Sequence, residues 1–290
     1  MKRLALASLL SLAVVVPAPA HAQDENFGGG PATDFGENAP RSYESPQHFA
    51  FEVKLGPYSP NIDASPGLNK LGGHPFADLF SPGKARPPGK LLVELEFDYQ
   101  FWRKWYGNFG LGHSIGYYRR TAHALEYNGG DPASPCDPTM KNQVCVGSIG
   151  DTTALNIIPL ELTLNYRFDY LATRYRIPLV PYIKVGLAYY AWWIENGNGF
   201  LSVSKYLDPN TGKVLDTGFG GTFGWVLNPG GMFLLDVLDP TAARTLDSEL
   251  GINHTYLFCE LHYANITGFG SSTKMNLSDT TLNAGLGFEF

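Results

Sequence analysis

The sequence predicts an all-β protein, an eight-stranded antiparallel up-and-down transmembrane β-barrel with long external loops and a short periplasmic helix. Segments in which apolar and polar residues alternate recur from residue 48 to the last residue, and this is the two-residue period of a strand. The 33 glycines, 21 prolines and 13% aromatic content suit many strands and turns better than helices. An N-terminal export signal indicates a destination outside the cytoplasm.

The chain begins MKRLALASLLSLAVVVPAPAHAQ, in which two basic residues precede an apolar run that ends in A-H-A. This pattern predicts a secretory signal peptide over residues 1–22. A membrane-anchor helix is disfavoured because the apolar run is shorter than the roughly 20 residues that a bilayer requires. Residues 23–46 are polar and rich in Gly and Pro, which predicts a flexible periplasmic N-terminal segment. Residues 47–290 form the predicted outer-membrane barrel.

Eight alternating segments follow one another, and KLLVELEFDYQFW is the clearest of them. The fifth is also the best candidate for a membrane helix, but it is short and contains Pro181 and Lys184, which favours a strand. The predicted strands lie in HFAFEVKLGPY, KLLVELEFDYQFW, NFGLGHSIGYYRR, IIPLELTLNYRFDY, LVPYIKVGLAYYAWWI, GFGGTFGWVL, HTYLFCELHYANI and TLNAGLGFEF.

The connections between these segments alternate in length. If the N-terminus starts in the periplasm, links 1-2, 3-4, 5-6 and 7-8 are external and are expected to be long. They cover about 59–89, 121–152, 195–216 and 266–278, whereas 103–107 and 170–178 are short. The exception is 228–250, whose second half predicts a short periplasmic helix that begins near Asp239 and Pro240.

A soluble β-sandwich would also show alternating strands. A barrel in lipid satisfies every backbone group by closure and turns its apolar residues outward and its polar residues inward. A sandwich core would leave the many aromatic residues at the strand ends unexplained, whereas the two interfaces of a bilayer explain them. The sequence therefore favours the membrane barrel.

The polar faces of the strands carry more acidic than basic residues. Because a barrel of eight strands is just wide enough for its own side chains, we expect these residues to fill the lumen. The predicted lumen network is Glu52, Lys54, Glu94, Glu96, Asp98, Glu161, Arg167, Lys184 and Glu260. The alternative is a narrow polar path or ligand site, because inner-face glycines, Gly110, Gly112, Gly116, Gly186, Gly285 and Gly287, leave some room. No metal site or cofactor is predicted.

Two of the three cysteines lie close together in a polar segment. Cys136 and Cys145 are predicted to form a disulfide in an oxidising compartment, against two free thiols or a metal pair. Metal is poorly supported because no nearby His completes a usual four-ligand set. Cys259 is left over and is expected to be a small residue of the barrel wall.

Other functional classes receive little support. The formal net charge is −6, which disfavours nucleic-acid partners. A lipid-modifying outer-membrane enzyme is the less favoured alternative, because His113 and Ser114 are adjacent in a strand and therefore point to opposite faces. No enzymatic activity is predicted.

The last strand, which ends in Phe290, resembles the C-terminal signal that outer-membrane proteins present to the barrel-assembly machinery. Together with GPYSPNID, LLVELEFDYQF and DPTAARTLDSELGINHTYLF, it resembles a family of small outer-membrane β-barrel proteins from myxobacteria and related Gram-negative bacteria. The resemblance implies the cell outer membrane as location and transfers no active site. The residues that carry the signal are Leu282, Leu286, Phe288 and Phe290.

We therefore expect a structural or surface-interaction barrel with a filled lumen. A small channel or carrier for small or hydrophobic solutes is the alternative. The expected partners are outer-membrane lipid, lipopolysaccharide and the assembly machinery, and the barrel is expected to be a monomer.

Overall fold

The computed structural model describes residues 48–66, 74–81, 84, 86–104, 107–127, 145–175, 177–202, 204–207 and 214–290. The predicted signal peptide (1–22) and the predicted flexible segment (23–46) lie outside the described residues.

Eight antiparallel strands form a closed barrel, which confirms the predicted fold class. Each strand is hydrogen-bonded to the barrel strands that precede and follow it in the chain. The first strand closes the ring by pairing with the last one. The barrel strands are β1 (Phe49–Tyr58), β2 (Lys90–Lys104), β3 (Gly107–Tyr127), β4 (Cys145–Arg167), β5 (Leu179–Glu195), β8 (Phe219–Leu234), β9 (His254–Asn265) and β10 (Asp279–Glu289). A separate hairpin, β6 (Ser204–Leu207) and β7 (Val214–Thr217), lies between β5 and β8 in the chain.

The barrel is apolar outside and polar inside, as the strand β2 illustrates. Leu95 is 43% exposed, whereas Glu94 and Glu96 on either side of it are 3% and 2% exposed. The outward apolar residues of β2 run from Leu91 to Phe101. At roughly 3.3 Å per residue and a tilt of about 40°, this run covers about 25 Å along the barrel axis. That height matches the apolar band of an outer-membrane barrel.

Two strands are much longer than predicted. The ladder between β3 and β4 continues outward to Tyr127 and Cys145, within the segment predicted as an external loop over 121–152. Backbone pairing does not require alternating polarity, so the ladder continues into a segment whose sequence predicted a loop. The predicted external segment 195–216 likewise contains most of the β6–β7 hairpin.

The sixth barrel strand also extends beyond its prediction. It was predicted over GFGGTFGWVL, residues 218–227, and β8 continues to Leu234. Pro229 lies within the extension and pairs with Ile183 of β5, while the ladder with β9 passes from Leu227 directly to Gly230. Because proline lacks a backbone N–H, it predicts the end of a strand, but here the ladder resumes after it.

One end of the barrel, which we call the inner end, is where β1 begins and β10 ends, and two helices lie there. The helix α2 (Tyr170–Tyr175) lies in the short link 170–178, and α3 (Pro240–Leu250) lies between β8 and β9. The Asp239 side chain accepts hydrogen bonds from Thr241 N and Ala242 N, each at 3.0 Å, and Pro240 occupies the first turn. The predicted helix start near Asp239 and Pro240 is therefore confirmed.

Among the described residues, no helix has both the length and the apolar character needed to cross a membrane.

The opposite end of the barrel, which we call the outer end, is closed by an apolar cluster. The short helix α1 (Pro75–Phe80) packs there, and Asp63 accepts hydrogen bonds from its Phe76 N at 2.8 Å and Ala77 N at 2.9 Å. The Arg120 guanidinium lies 5.9 Å and 5.7 Å from the ring centroids of Phe76 and Phe80. The buried members of this outer cap include Tyr58, Phe76, Leu92, Tyr118, Ile157, Ile266 and Leu277.

Candidate functional site: the charged lumen

The lumen holds all nine residues of the predicted polar network. Each of them is at most 5% exposed, although most of the residues beside them in the same strands face outward and are exposed. Three basic side chains, Arg167 on β4, Lys184 on β5 and Lys54 on β1, lie among carboxylates from β1, β2, β9 and β10. We call this arrangement the lumen ladder, and its members are Arg167, Lys184, Lys54, Glu52, Glu96, Asp98, Glu260 and Glu289.

Arg167 connects three carboxylates near the inner end of the lumen. Its Nη1 lies 2.7 Å from Glu289 Oε1, and its Nη2 lies 2.8 Å from both Glu52 Oε1 and Asp98 Oδ2. The planar guanidinium can donate several hydrogen bonds in fixed directions, which suits a site shared by three acids. One side chain thus links strands β1, β2, β4 and β10 across the lumen.

The two lysines continue the ladder toward the outer end. Lys184 Nζ donates to Glu52 Oε2 at 2.6 Å and to Glu96 Oε1 at 2.8 Å. Lys54 Nζ donates to Glu260 Oε1 at 3.0 Å and also forms an ion pair with Glu96. Neighbouring cations therefore share carboxylates, so the ladder is a single connected network.

Sequence reasoning left several polar partners without a role. Glu289 also accepts from Gln100 Nε2 at 2.8 Å and from the Tyr256 hydroxyl at 3.0 Å, while Tyr182 donates to Glu260 at 2.9 Å. Asn165 Nδ2 donates to Asp98 Oδ1 at 2.7 Å. Strand alternation places all these residues on the inner face, so the periodic signal was sufficient to find them. It cannot show which acid each one meets.

A separate polar group lies between the ladder and the outer cap. The Tyr190 hydroxyl donates to Glu161 Oε1 at 2.9 Å and lies 3.4 Å from His262 Nε2. His262 Nε2 is 3.6 Å from the same Glu161 oxygen. Glu94 receives a long hydrogen bond of 3.4 Å from Asn283 Nδ2. Glu94 and Glu161 were predicted in the same network as the lysines, but neither has an ion pair with lysine or arginine among the described residues.

Five of the six inner-face glycines have little room beside them. A Cβ atom on Gly112 would lie 2.3 Å from Asp98 Oδ1, and one on Gly186 would lie 2.0 Å from the Leu162 carbonyl oxygen. Neighbouring side chains and backbone therefore occupy the space that each missing side chain leaves. Gly287 is roomier, with its nearest neighbour at 3.5 Å.

Three ladder carboxylates are close enough to suggest a metal site. Within the described chain, Glu52, Glu96 and Asp98 each offer an oxygen, and these oxygens lie within 4.8 Å of one another. All three already contact the nitrogen atoms of Arg167 or Lys184. These side-chain cations occupy the surroundings that a metal ion would need, so the arrangement does not fit a metal centre.

The other residues singled out in the sequence are the three cysteines, His113 and Ser114. Cys136 is outside the described residues and Cys145 begins β4, so the disulfide stays a prediction. Cys259 is a free thiol on the outward face of β9. His113 faces outward, whereas Ser114 is 3% exposed and faces the lumen.

The four residues of the predicted C-terminal signal lie on the outward face of β10 or directly after it. Leu282 and Leu286 are 61% and 42% exposed. Phe288 pairs with Phe51 across the β1–β10 seam, and Phe290 N donates to Phe49 O at 2.9 Å.

Comparisons with solved structures return outer-membrane proteins at low similarity. OprG from Pseudomonas aeruginosa has a TM-score of 0.43 and 12% identity, over 85% of this chain and 97% of that one. Neisserial surface protein A has a TM-score of 0.39 and 13% identity, over 83% and 97%. Ail, the attachment invasion locus protein of Yersinia pestis, has a TM-score of 0.36 and 9% identity, over 84% and 97%.

No protein-family model and no curated protein matches the sequence. The closed ring of strands, the apolar outer belt and the charged interior belong to the chain itself, and they are the arrangement that lipid imposes on a β-sheet. The chain is an eight-stranded β-barrel of the outer membrane.

Proposed function

We propose that this barrel has a structural or surface-interaction role and that its lumen does not conduct. The lumen ladder is the observation that carries the proposal. Arg167, Lys184 and Lys54 each bridge at least two carboxylates, and the side chains of all three are at most 6% exposed. A solute would have to separate these ion pairs along the barrel axis, and breaking one buried pair costs about 3–5 kcal/mol.

The outer cap supports the same conclusion. Above the ladder, the apolar cluster around Tyr58 and Tyr118 is closed by Phe76 of α1. An ion that passed the ladder and the polar group around Glu161 would then enter an apolar region, where an unpaired charge is strongly disfavoured. The long external segments then become the surfaces through which the protein acts, because connections on a rigid scaffold commonly carry binding functions.

Several finer proposals accompany this role. We propose that lipid, including lipopolysaccharide, contacts the outward belt and that the assembly machinery recognises the last strand. We also propose a monomeric, non-enzymatic and cofactor-free protein without nucleic-acid partners, within the family of small barrels from myxobacteria and related bacteria that it resembles. Ser114 and His113 lie on opposite faces of β3, which supports the non-enzymatic assignment.

A small channel or carrier is the second candidate, and one observation favours it. A recess at the inner end of the lumen is lined by Asp98, Gln100, Asn108, Gly110, Asn165 and Arg167. A polar entrance of this kind would be useful to a conducting lumen if the ladder could rearrange.

Single-channel recording from the refolded chain, residues 23–290, in planar bilayers tests the proposal. Heat-modifiable gel migration identifies folded protein. The proposal expects silence from wild-type protein, and reproducible conductance steps would contradict it and favour the channel.

The variant Lys184→Met separates the two functions further. If the ladder only fills the lumen, the variant loses stability and the wild-type protein remains silent. If the lumen conducts, the wild-type barrel shows steps and the variant changes their size or ion selectivity. Arg103→Met serves as a control, because this side chain is 44% exposed.

A further inference from the structure

The balance of charge in the lumen is strongly negative. Among the described residues, the inner wall buries eight acidic side chains and four lysine or arginine side chains. The acids are Glu52, Glu94, Glu96, Asp98, Glu161, Glu260, Asp279 and Glu289, and the bases are Lys54, Arg120, Arg167 and Lys184. Several uncompensated negative charges in a buried interior are prohibitively unfavourable, so something positive must be bound or the carboxyl groups must be neutral.

The unbalanced charge is concentrated in one place. Five of the eight acids contact a ladder cation, and Asp279 is paired with Arg86. Glu94 and Glu161 are the exceptions within the described residues, and the basic side chain nearest to Glu161 is that of His262. We call Glu94, Glu161 and His262 the outer trio.

The atoms of the outer trio are incompletely satisfied. Glu94 Oε1 and His262 Nδ1 are fully buried and have no hydrogen-bond partner among the described residues. Glu94 has one long hydrogen bond through its other oxygen, whereas Glu161 receives a short one from Tyr190. A bound proton therefore stabilises Glu94 more than Glu161, because the Glu94 carboxyl group has fewer hydrogen-bond donors to stabilise a negative charge.

Other charged and titratable groups surround the trio. The ones that interact with Glu94 or with Tyr190 and Tyr58 include Lys54 and Tyr58 on β1, Arg86, Tyr118 on β3, Tyr190 on β5, Glu260 on β9 and Asp279 on β10. The Lys54 ammonium is already shared by Glu96 and Glu260, and Arg86 is paired with Asp279. No neighbour thus supplies a spare positive charge to Glu94.

We propose that the outer trio is a proton-binding site in which Glu94 holds a proton at neutral pH, as a neutral carboxyl group beside Glu161 and His262. The proton comes from water, and no other bond forms or breaks. This proposal does not depend on the filled-lumen role, because a barrel with a conducting lumen could hold the same proton.

Infrared spectroscopy of the folded chain, residues 23–290, in an ester-free detergent provides the direct test, because lipid ester carbonyls would mask the band. A protonated carboxyl group has a carbonyl stretch that is separate from the bands of a carboxylate. The wild-type barrel is expected to show this band at neutral pH, and Glu94→Gln is expected to lose it. Glu52→Gln is the matched control and should keep the band, because Glu52 contacts Arg167 and Lys184. Absence of the band from wild-type protein, or its persistence in Glu94→Gln, overturns the proposal.

Stability provides a second readout that does not depend on assigning a band. Glu94→Gln is nearly isosteric with a neutral glutamic acid, so its urea midpoint should equal or exceed that of the wild-type protein at neutral pH. If the urea midpoint of Glu94→Gln falls as far below the wild-type value as that of Glu52→Gln, the proposal is overturned. A metal ion is tested with the wild-type barrel: if a chelator lowers the midpoint and Zn²⁺ or Mn²⁺ restores it, a bound cation replaces the proton and the proposal fails.

Discussion

Replacement of Arg167 by methionine tests the central claim that the lumen ladder stabilises the barrel. Arg167 contacts Glu289, Glu52 and Asp98 at 2.7–2.8 Å, and its side chain is 6% exposed. After the substitution Asp98 retains a hydrogen bond from Asn165 but has lost its cationic partner. Removal of one partner from a buried ion pair costs about 3–5 kcal/mol, so we expect the free energy of unfolding to fall by at least this amount.

The assay is urea unfolding of the barrel in phospholipid vesicles, followed by tryptophan fluorescence and by heat-modifiable gel migration. If the slope is about 2 kcal/mol/M, the midpoint of Arg167→Met should lie roughly 2 M below that of the wild-type protein. Arg167→Lys keeps the charge but loses the planar donor geometry, so its midpoint should fall between the two.

Arg103→Met is the control at the same end of the barrel. Arg103 lies 3.9 Å from Asp169 and is 44% exposed, so an effect below about 1 kcal/mol is expected. The reasoning about the ladder is refuted if Arg167→Met is folded and no less stable than Arg103→Met.

Three further predictions concern the wall, the helix and the outer rim. Gly186→Ala should destabilise the barrel by about 1–3 kcal/mol because its Cβ would lie 2.0 Å from a backbone oxygen, whereas Gly231→Ala, with nothing within 4 Å, should have little effect in the same unfolding assay. Asp239→Ala should cost about 1 kcal/mol of helix stability, visible as faster amide exchange in the first turn of α3, and unchanged exchange would contradict the capping role. At the outer rim, the hydrogen bond from the Trp193 indole lowers the pKa of the Glu195 carboxyl, with a smaller effect of Arg119. The interaction is therefore present above the unfolded-state pKa and is lost as pH falls through the lower folded value, so Trp193→Phe should raise the pKa of Glu195 in an NMR titration.

The sequence by itself determined the strands and the two faces of the barrel wall. In lipid, a strand must turn apolar side chains outward and polar ones inward, so every second residue reveals its side of the wall. Glu94, Leu95 and Glu96 demonstrate this, since their polarity alone predicted the exposures that the structure has. The start of α3 could also be predicted from the sequence, because the capping Asp239 and the following Pro240 are adjacent in the chain.

The tertiary structure decided which charges meet. Arg167 and Glu52 are 115 residues apart, and their contact depends on the register and tilt of strands that are not neighbours in the barrel. Alternation assigns both side chains to the lumen but carries no information about their height along its axis. For the same reason the sequence could not separate Glu94 and Glu161 from the acids of the ladder, nor show that neighbouring atoms fill the space beside Gly112 and the other inner-face glycines. The alternation along one strand determines which side chains face the lumen. The register between long strands determines which of those side chains meet.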